Sequence, residues 1–240
     1  MAFLEHVDAM RGTLLRCLAV LSLGCLSVAI FLPFVIEFLK WPLTWVSGNT
    51  VALYTTSVLA VFTVAIQVCL LGGLGLALPF MLYFIARFVA PGLKPRELAL
   101  LRPVCCLIFA LFIAGAVFSF FVLVPASIKA ALFLNERLGY AEIWTADRYY
   151  GLLTWMVLGV GLVFELPLGV LALVYAGLVS SAQLIRFRPY SIMVWLGLAA
   201  VITPTTDPVT FILLAVPMAL LYELALYVAR RMERRSNARG

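Results

Sequence analysis

Charged residues are scarce in this chain. They make up 12% of its 240 residues, whereas 65% are hydrophobic; in soluble domains about a quarter of the residues are charged. This composition excludes an ordinary soluble domain and indicates an integral membrane protein. The chain has a single histidine, His6, so no second histidine is present to complete a metal site or a nucleophile–base pair. We therefore expect neither metal nor cofactor.

Motifs of hydrolytic enzymes are also missing. The sequence contains no His-Glu-x-x-His and no Gly-x-Ser-x-Gly. An intramembrane protease would need intramembrane histidine or paired aspartates, and the apolar runs contain neither. The five cysteines form no Cys-x-x-Cys pattern and fall in or beside apolar runs, which is typical of small buried or lipid-facing side chains. We expect a protein that is not an enzyme.

Long apolar runs divide the chain and predict six transmembrane helices in one domain. A helix of about 20 residues spans about 30 Å, the thickness of the hydrocarbon core. The final two runs are shorter than this and predict short helices that either thin the bilayer locally or line a wet cavity. The predicted fold is all-α and integral to the membrane. Its spans are about 14–36, 56–85, 103–125, 151–177, 190–202 and 209–229.

The remaining segments are assigned from pattern and turn chemistry. Residues 1–12 alternate apolar and polar side chains at helical spacing and predict an amphipathic helix on the cytoplasmic surface. Residues 37–55 and 125–150 predict outer loops, and 230–240 a basic cytoplasmic tail. The acidic N-terminus argues against a cleavable signal peptide.

Basic residues are distributed unequally between the two predicted sides. Of the 17 lysines and arginines, 13 fall on the side of the termini and 4 on the other. By the positive-inside rule both termini are cytoplasmic. This topology and anionic lipid account for the net charge of +6, so no nucleic-acid partner is expected.

One carboxylate, Glu165, lies within the fourth predicted span. A charge at the centre of a bilayer costs about 2.5–3.5 kcal/mol, so an acid there usually has a function. Pro167 has no N–H to donate to the carbonyl of Val163, which predicts a bend beside the carboxylate. Glu165 is then a polar contact for a partner helix, a proton or substrate site, or a protonated structural carboxyl.

Four motifs and the six-span layout together resemble the TatC family, the multispanning core of the twin-arginine protein translocase. The resemblance covers nearly the whole chain, and the motifs occur in the family's order. They are Phe3-Leu-Glu-His6-Val-Asp-Ala-Met-Arg11, Phe88-Val-Ala-Pro-Gly-Leu93 followed by Glu97, Phe164-Glu-Leu-Pro167, and Ile202-Thr-Pro-Thr-Thr-Asp-Pro208.

This resemblance implies a cup-like helix arrangement in the cytoplasmic (inner) membrane of a bacterium. It implies a receptor that binds the twin arginines of signal peptides on folded proteins. The receptor would recruit TatA-type and TatB-type single-span proteins into a hetero-oligomer with several TatC copies. Transport would draw on the proton-motive force.

The resemblance also implies site residues. In the family, a glutamate of the N-terminal signature and one of the first cytoplasmic loop hold the two arginines; Glu97 matches the second, whereas Ala9 stands at the first and Asp8 precedes it. Phe84 and Phe211 stand where many members have glutamine. For signal-peptide binding the implied residues are Glu97, Asp8, Arg11, His6 and Arg96. For the partner helix and intramembrane polar contacts they are Glu165, Pro167, Thr203 and Asp207.

Two other functions remain open from the sequence. A proton-coupled secondary transporter would use Glu165 as its coupling acid, although the chain lacks the internal repeat of many such carriers. A TatC-like structural paralogue with weakened signal recognition would explain Ala9.

Overall fold

The computed structural model describes residues 2–48, 51–92, 95–141, 143–175, 179–203 and 207–237. Within these residues six helical segments are long and apolar enough to cross a membrane, which confirms the predicted number of spans. They are Val7–Ile30, Val58–Gly92, Leu98–Leu138, Ala146–Tyr175, Ala182–Ile202 and Pro208–Arg231.

The described residues form ten α-helices joined by short connections. A 3₁₀ turn, Ala90–Gly92, follows α4, and a π-helical segment, Ser119–Leu123, links α5 to α6. The helices are α1 (Ala2–Ile30), α2 (Leu32–Leu39), α3 (Trp41–Ser47), α4 (Val58–Val89), α5 (Pro95–Phe118), α6 (Val124–Leu138), α7 (Ala146–Phe164), α8 (Leu166–Tyr175), α9 (Ser181–Ile202) and α10 (Pro208–Asn237).

The first compact unit comprises Met1–Ile113 and Ile143–Thr154, and α1 packed on α4 is its main contact. The two backbones touch at glycine, because a Cβ added to Gly73 would lie 2.6 Å from Sγ of Cys25. Small residues allow such close approach between membrane helices. The start of α7 is tied to α2, since the hydroxyl of Tyr149 donates to the carbonyl of Leu39 at 2.7 Å.

The second unit comprises Ala114–Glu142 and Trp155–Gly240. Its central helix is α10, which packs on α6, α8 and α9. Gly115 permits close packing here as well, because a Cβ on it would lie 2.9 Å from the ring of Phe164. At one end of α9 and α10, Nε of Arg188 lies 2.6 Å from Oε1 of Glu223, and the hydroxyl of Tyr222 donates to the carbonyl of Leu184 at 3.1 Å.

The two predicted outer loops are largely helical, which corrects the expectation for 37–55 and 125–150. The end of α2 and all of α3 lie in the first region, and α6 and the start of α7 occupy most of the second. Pro33, Pro42 and Pro125 stand in the first turns of α2, α3 and α6. Proline is favoured there because the first helical N–H groups have no intrahelical acceptor.

The helices also extend beyond the apolar runs that predicted them. α1 is continuous from Ala2, so residues 2–12 continue the first span's helix without a break. α9 begins at Ser181 with a capping box formed by Ser180 and Gln183, nine residues before the apolar run. Charged side chains end a membrane-compatible run without ending a helix, since arginine and glutamate are good helix formers.

Candidate functional site

The N-terminal acid lies on the exposed surface of α1. Asp8, Ala9 and Arg11 are all exposed, and Asp8 and Arg11 are three residues apart, so they are neighbours on one face of the helix. The carbonyl of Ala9 accepts a hydrogen bond from Oγ1 of Thr13 at 2.9 Å. Consecutive positions on a helix point about 100° apart, so the carboxylate of Asp8 points well away from the direction of residue 9.

The loop acid begins the third span. Arg96 and Glu97 belong to the first turn of α5, directly after Pro95, and a carboxylate in a first turn is stabilised by the helix dipole. For His6, Arg96 and Glu97 the structure describes the backbone position only. Because α1 crosses the membrane, α4 returns and α5 crosses again, the start of α1 and the start of α5 are on the same side.

Glu165 lies at a break between two helices. The sequence predicted a bend at this place because of Pro167. It is the single residue between α7 and α8; its N–H donates to the carbonyl of Leu162, three residues back, at 3.1 Å. This is a tight 3₁₀-type bond. The carbonyl of Glu165 accepts from the N–H groups of Leu168 and Gly169, each at 3.1 Å, so helical bonding resumes immediately.

The side chain of Glu165 is half-buried, and its Oε1 atom is buried. Pro167 beside it is buried. The preceding residue, Phe164, packs its ring 6.0 Å from that of Phe118. The half-buried carboxyl therefore belongs to a residue at a backbone break, in a span whose other residues are almost all apolar.

Thr203 and Asp207 end one helix and begin the next. Thr203 is fully buried, and both its N–H and its hydroxyl donate to the carbonyl of Ala199, at 2.9 and 2.7 Å. Asp207 accepts the N–H of Thr210 on Oδ1 at 2.8 Å, which is the bond of a helix N-cap. Both residues thus have local structural roles, Thr203 at the end of α9 and Asp207 at the start of α10.

A buried polar contact joins three helices of the second unit and was not predicted from the sequence. Oγ of Ser127 lies 3.5 Å from Oγ1 of Thr210 and 3.7 Å from Sδ of Met156. The available signal was a hydroxyl residue in two of the apolar segments, Ser127 and Thr210, since serine and threonine often join membrane helices. Such residues are common in membrane helices, so the pairing itself needed the structure.

The predicted sites divide between the two units. His6, Asp8, Arg11, Arg96 and Glu97 belong to the first, whereas Glu165, Pro167, Thr203 and Asp207 belong to the second. Among the described residues no three His, Cys, Asp or Glu side chains come together as metal ligands.

The comparisons with known proteins point to one family. The sequence profile described as "Sec-independent protein translocase protein (TatC)" matches residues 5–217, which is most of the chain. This chain belongs to the TatC family. Since its described residues also include six membrane-length helices, it is a multi-pass protein of the inner membrane.

Curated relatives and a solved structure agree with this placement. The TatC protein of Synechocystis sp. is 32% identical over 90% of this chain and 82% of its own length. That of Akkermansia muciniphila is 36% identical over 74% of this chain, but the match spans only 51% of that relative's length. A crystal structure described as "Twin Arginine Translocase Receptor- TatC" matches with a TM-score of 0.78 at 29% identity, over 94% of this chain and 98% of that chain.

Proposed function

We propose that this TatC-family protein is the receptor subunit of a twin-arginine translocase. It binds the twin-arginine signal peptides of folded proteins and has no catalytic activity of its own. The observation that carries the proposal is the match to a solved twin-arginine translocase receptor over 94% of the chain at 29% identity. The exposed polar start of α1, on the same side as the acid that begins α5, supports it.

The peptide is held by carboxylates on the cytoplasmic side. Two guanidinium groups need two acceptors, and bidentate arginine–carboxylate bonds are the strongest hydrogen bonds available for this purpose. Glu97 supplies one acceptor and Asp8 the other, with Arg11, His6 and Arg96 shaping the surrounding surface. Asp8 is exposed on α1, and it would supply this acceptor if the helix rolls or the arginines shift towards it.

A second surface in the membrane recruits the partner subunits. We assign it to Glu165 with Pro167, Thr203 and Asp207, which would meet a polar side chain near the start of a TatA-type or TatB-type helix. The half-buried carboxyl at a helix break supports this assignment, because polar side chains form favourable contacts between helices in lipid. Assembly would give a hetero-oligomer with several TatC copies, and transport through it would draw on the proton-motive force.

Crosslinking tests the receptor function directly. A photoreactive amino acid replaces Leu98, which is 48% exposed beside Glu97, or as a control Leu138, which is 56% exposed on the opposite side of the membrane. A twin-arginine peptide should crosslink at 98 and not at 138, and a twin-lysine peptide should compete weakly. Equal crosslinking of the two peptides, or none at 98, would reject the receptor function.

One observation favours a second function, that of a paralogue with weakened signal recognition. Ala9 is exposed on α1 and carries no group that can bind an arginine. In this case twin-lysine and twin-arginine peptides would crosslink equally poorly, while association with the single-span partners would persist.

A further inference from the structure

A cavity of about 490 Å³ lies between the last turns of α4 and the first turns of α5. This volume is within the range of about 300–1,000 Å³ that is usual for ligand sites. Its walls are mainly apolar and include Tyr83 on α4 and Cys105, Cys106 and Phe109 on α5. None of these four side chains belongs to the predicted peptide site, although Leu98 beside Glu97 also lines the cavity.

Two arginines from different helices line the same cavity. Arg87 is in the last turn of α4, and Arg102 is in the second turn of α5. Both are exposed, and the described lining contains no carboxylate. The cavity therefore presents two cationic side chains next to an apolar interior.

The position of the arginines along the spans gives their depth in the membrane. Arg87 is five residues before the end of the span Val58–Gly92, and Arg102 is four residues after the start of the span Leu98–Leu138. Arginines near the ends of spans extend their guanidinium groups to the level of the lipid headgroups. The apolar wall continues from there towards the membrane interior with Phe109.

We propose that this cavity binds one anionic phospholipid. Its phosphate lies between Arg87 and Arg102, whose planar guanidinium groups bind phosphate oxygens in pairs, and one acyl chain lies against Tyr83, Cys105 and Phe109. Basic cavities between membrane helices on the cytoplasmic side are suited to anionic headgroups. The proposal does not depend on the receptor function.

The signal peptide is the less suitable occupant. A peptide that carries paired arginines would bring its positive charges towards Arg87 and Arg102, and like charges repel within a few ångströms. Its arginines need carboxylates, which the described lining does not supply. An uncharged lipid would fill the apolar part but leave the two arginines without an anionic partner.

Photolabelling of the full-length protein tests the proposal. The chain is placed in phosphatidylcholine nanodiscs with a small fraction of phosphatidylglycerol or phosphatidylcholine carrying a diazirine in the acyl chain, and adducts are mapped by peptide mass spectrometry. We expect adducts on 79–90 and 98–109 to be several-fold more abundant with the phosphatidylglycerol probe. The attraction of one arginine to anionic lipid corresponds to about a fivefold change in binding.

Two variants distinguish the contribution of the arginine charges to lipid binding from that of the apolar wall. Arg87→Gln with Arg102→Gln should reduce these adducts by about tenfold or more, whereas Arg186→Gln with Arg230→Gln removes two exposed charges outside the cavity and should leave them unchanged. Ala86→Phe keeps all charges but fills part of the cavity, and it should also reduce the adducts. Size-exclusion profiles confirm that each variant is folded.

Several results would overturn the proposal. These are equal labelling by the two lipid probes, equal loss in both arginine pairs, or labelling that survives both Arg87→Gln/Arg102→Gln and Ala86→Phe. Displacement of the lipid adducts by a twin-arginine peptide that itself crosslinks to 79–90 would assign the cavity to the signal peptide instead.

Discussion

Several polar residues near the proposed sites contribute both to the local structure and to the proposed contacts. Asp207 caps α10 through the N–H of Thr210, and the hydroxyl of Thr203 is bonded to Ala199 at the end of α9. Replacing an N-cap costs about 0.5–2 kcal/mol of stability, so loss of activity in an Asp207 variant would not by itself indicate a partner contact. Glu97, Ala9 and Glu165 are better positions for testing function.

Glu97→Gln should weaken binding of a twin-arginine peptide while leaving membrane insertion and abundance unchanged. A hydrogen bond to a charged group contributes about 1.5–3 kcal/mol, so the dissociation constant should rise by about tenfold to hundredfold. Binding is measured by fluorescence anisotropy with purified protein. Glu136→Gln, an exposed glutamate in α6, is the matched control, and equal affinity in parent and Glu97→Gln would contradict the role of this acid.

Ala9→Glu should strengthen the same binding by severalfold, because it adds a carboxylate where the family has one. Ala9→Gln has the same shape without the charge and should give little gain. The peptide titration used for Glu97 measures both. If Ala9→Glu binds no more tightly than the parent, Asp8 already supplies the second acceptor, and Asp8→Asn should then weaken binding.

Glu165→Ala should abolish or severely slow transport, while twin-arginine binding at the cytoplasmic face persists. An interhelical hydrogen bond in a membrane contributes about 0.6–2 kcal/mol, so partner docking should weaken by about threefold to thirtyfold. Export of a folded twin-arginine reporter and co-purification of the single-span partner are measured together. If the Glu165→Ala variant exported the reporter at the same rate as the parent protein, Glu165 would be dispensable for transport.

Glu165→Gln separates docking from proton transfer. Glutamine keeps the hydrogen-bonding shape but does not ionise, so much of the activity should remain if Glu165 docks a partner helix. Nearly all activity should disappear if it transfers protons, as in a proton-coupled carrier. The comparison of the two variants therefore decides between these roles.

Two features determine how the helices of this protein are arranged. One is close backbone contact at glycines, and the other is interruption of the helical hydrogen bonds. α1 and α4 meet where glycines stand on both, and a Cβ on Gly24 would lie 2.6 Å from the carbonyl oxygen of Gly73. α7 and α8 are separated by the single residue Glu165, and the π-helical segment before α6 ends two residues before Pro125. Proline removes a helical N–H, so the backbone departs from regular α-helix near it.

Gly73→Ala should destabilise the contact between α1 and α4. Its added methyl group would lie 2.6 Å from Sγ and 2.7 Å from the backbone nitrogen of Cys25, and overpacking of this kind costs about 1–3 kcal/mol. Gly75→Ala is the matched control, because nothing lies within 4 Å of its added Cβ. The thermal unfolding midpoint in detergent should fall for Gly73→Ala and not for Gly75→Ala. Equal midpoints for the two variants would show that α1 and α4 accommodate the added methyl group without loss of stability.

At the scale of the whole molecule, the distribution of basic residues determines orientation. With 13 of the 17 on the side of the termini, the protein should insert with both termini in the cytoplasm. The tail after residue 237 lies outside the described residues, so its position is inferred from charge alone.

Cysteine labelling tests this orientation. In a background without native cysteines, Ala238→Cys should be protected from a membrane-impermeant maleimide in intact cells, and Thr56→Cys, which is exposed before α4, should react. The physical reason is that lysine and arginine near the spans are retained on the cytoplasmic side. Labelling of the Ala238→Cys variant from outside intact cells would contradict the predicted orientation.

The sequence by itself determined the class of this protein, the number of its spans and its family. Hydropathy is decisive in a membrane because every backbone polar group must be bonded within the span, so a long apolar run has few alternatives to a helix. The break beside Glu165 was also predictable, since Pro167 removes a specific hydrogen bond.

The tertiary structure alone decided which polar groups meet and where helices end. Ser127, Met156 and Thr210 come together only through packing. Helices α3 and α6 lie in regions predicted as loops, and each has a proline in its first turn, where proline favours a helix. The cavity between α4 and α5 likewise has no sequence signature. Such features depend on the relative placement of helices distant in sequence, which local pattern and hydropathy do not encode.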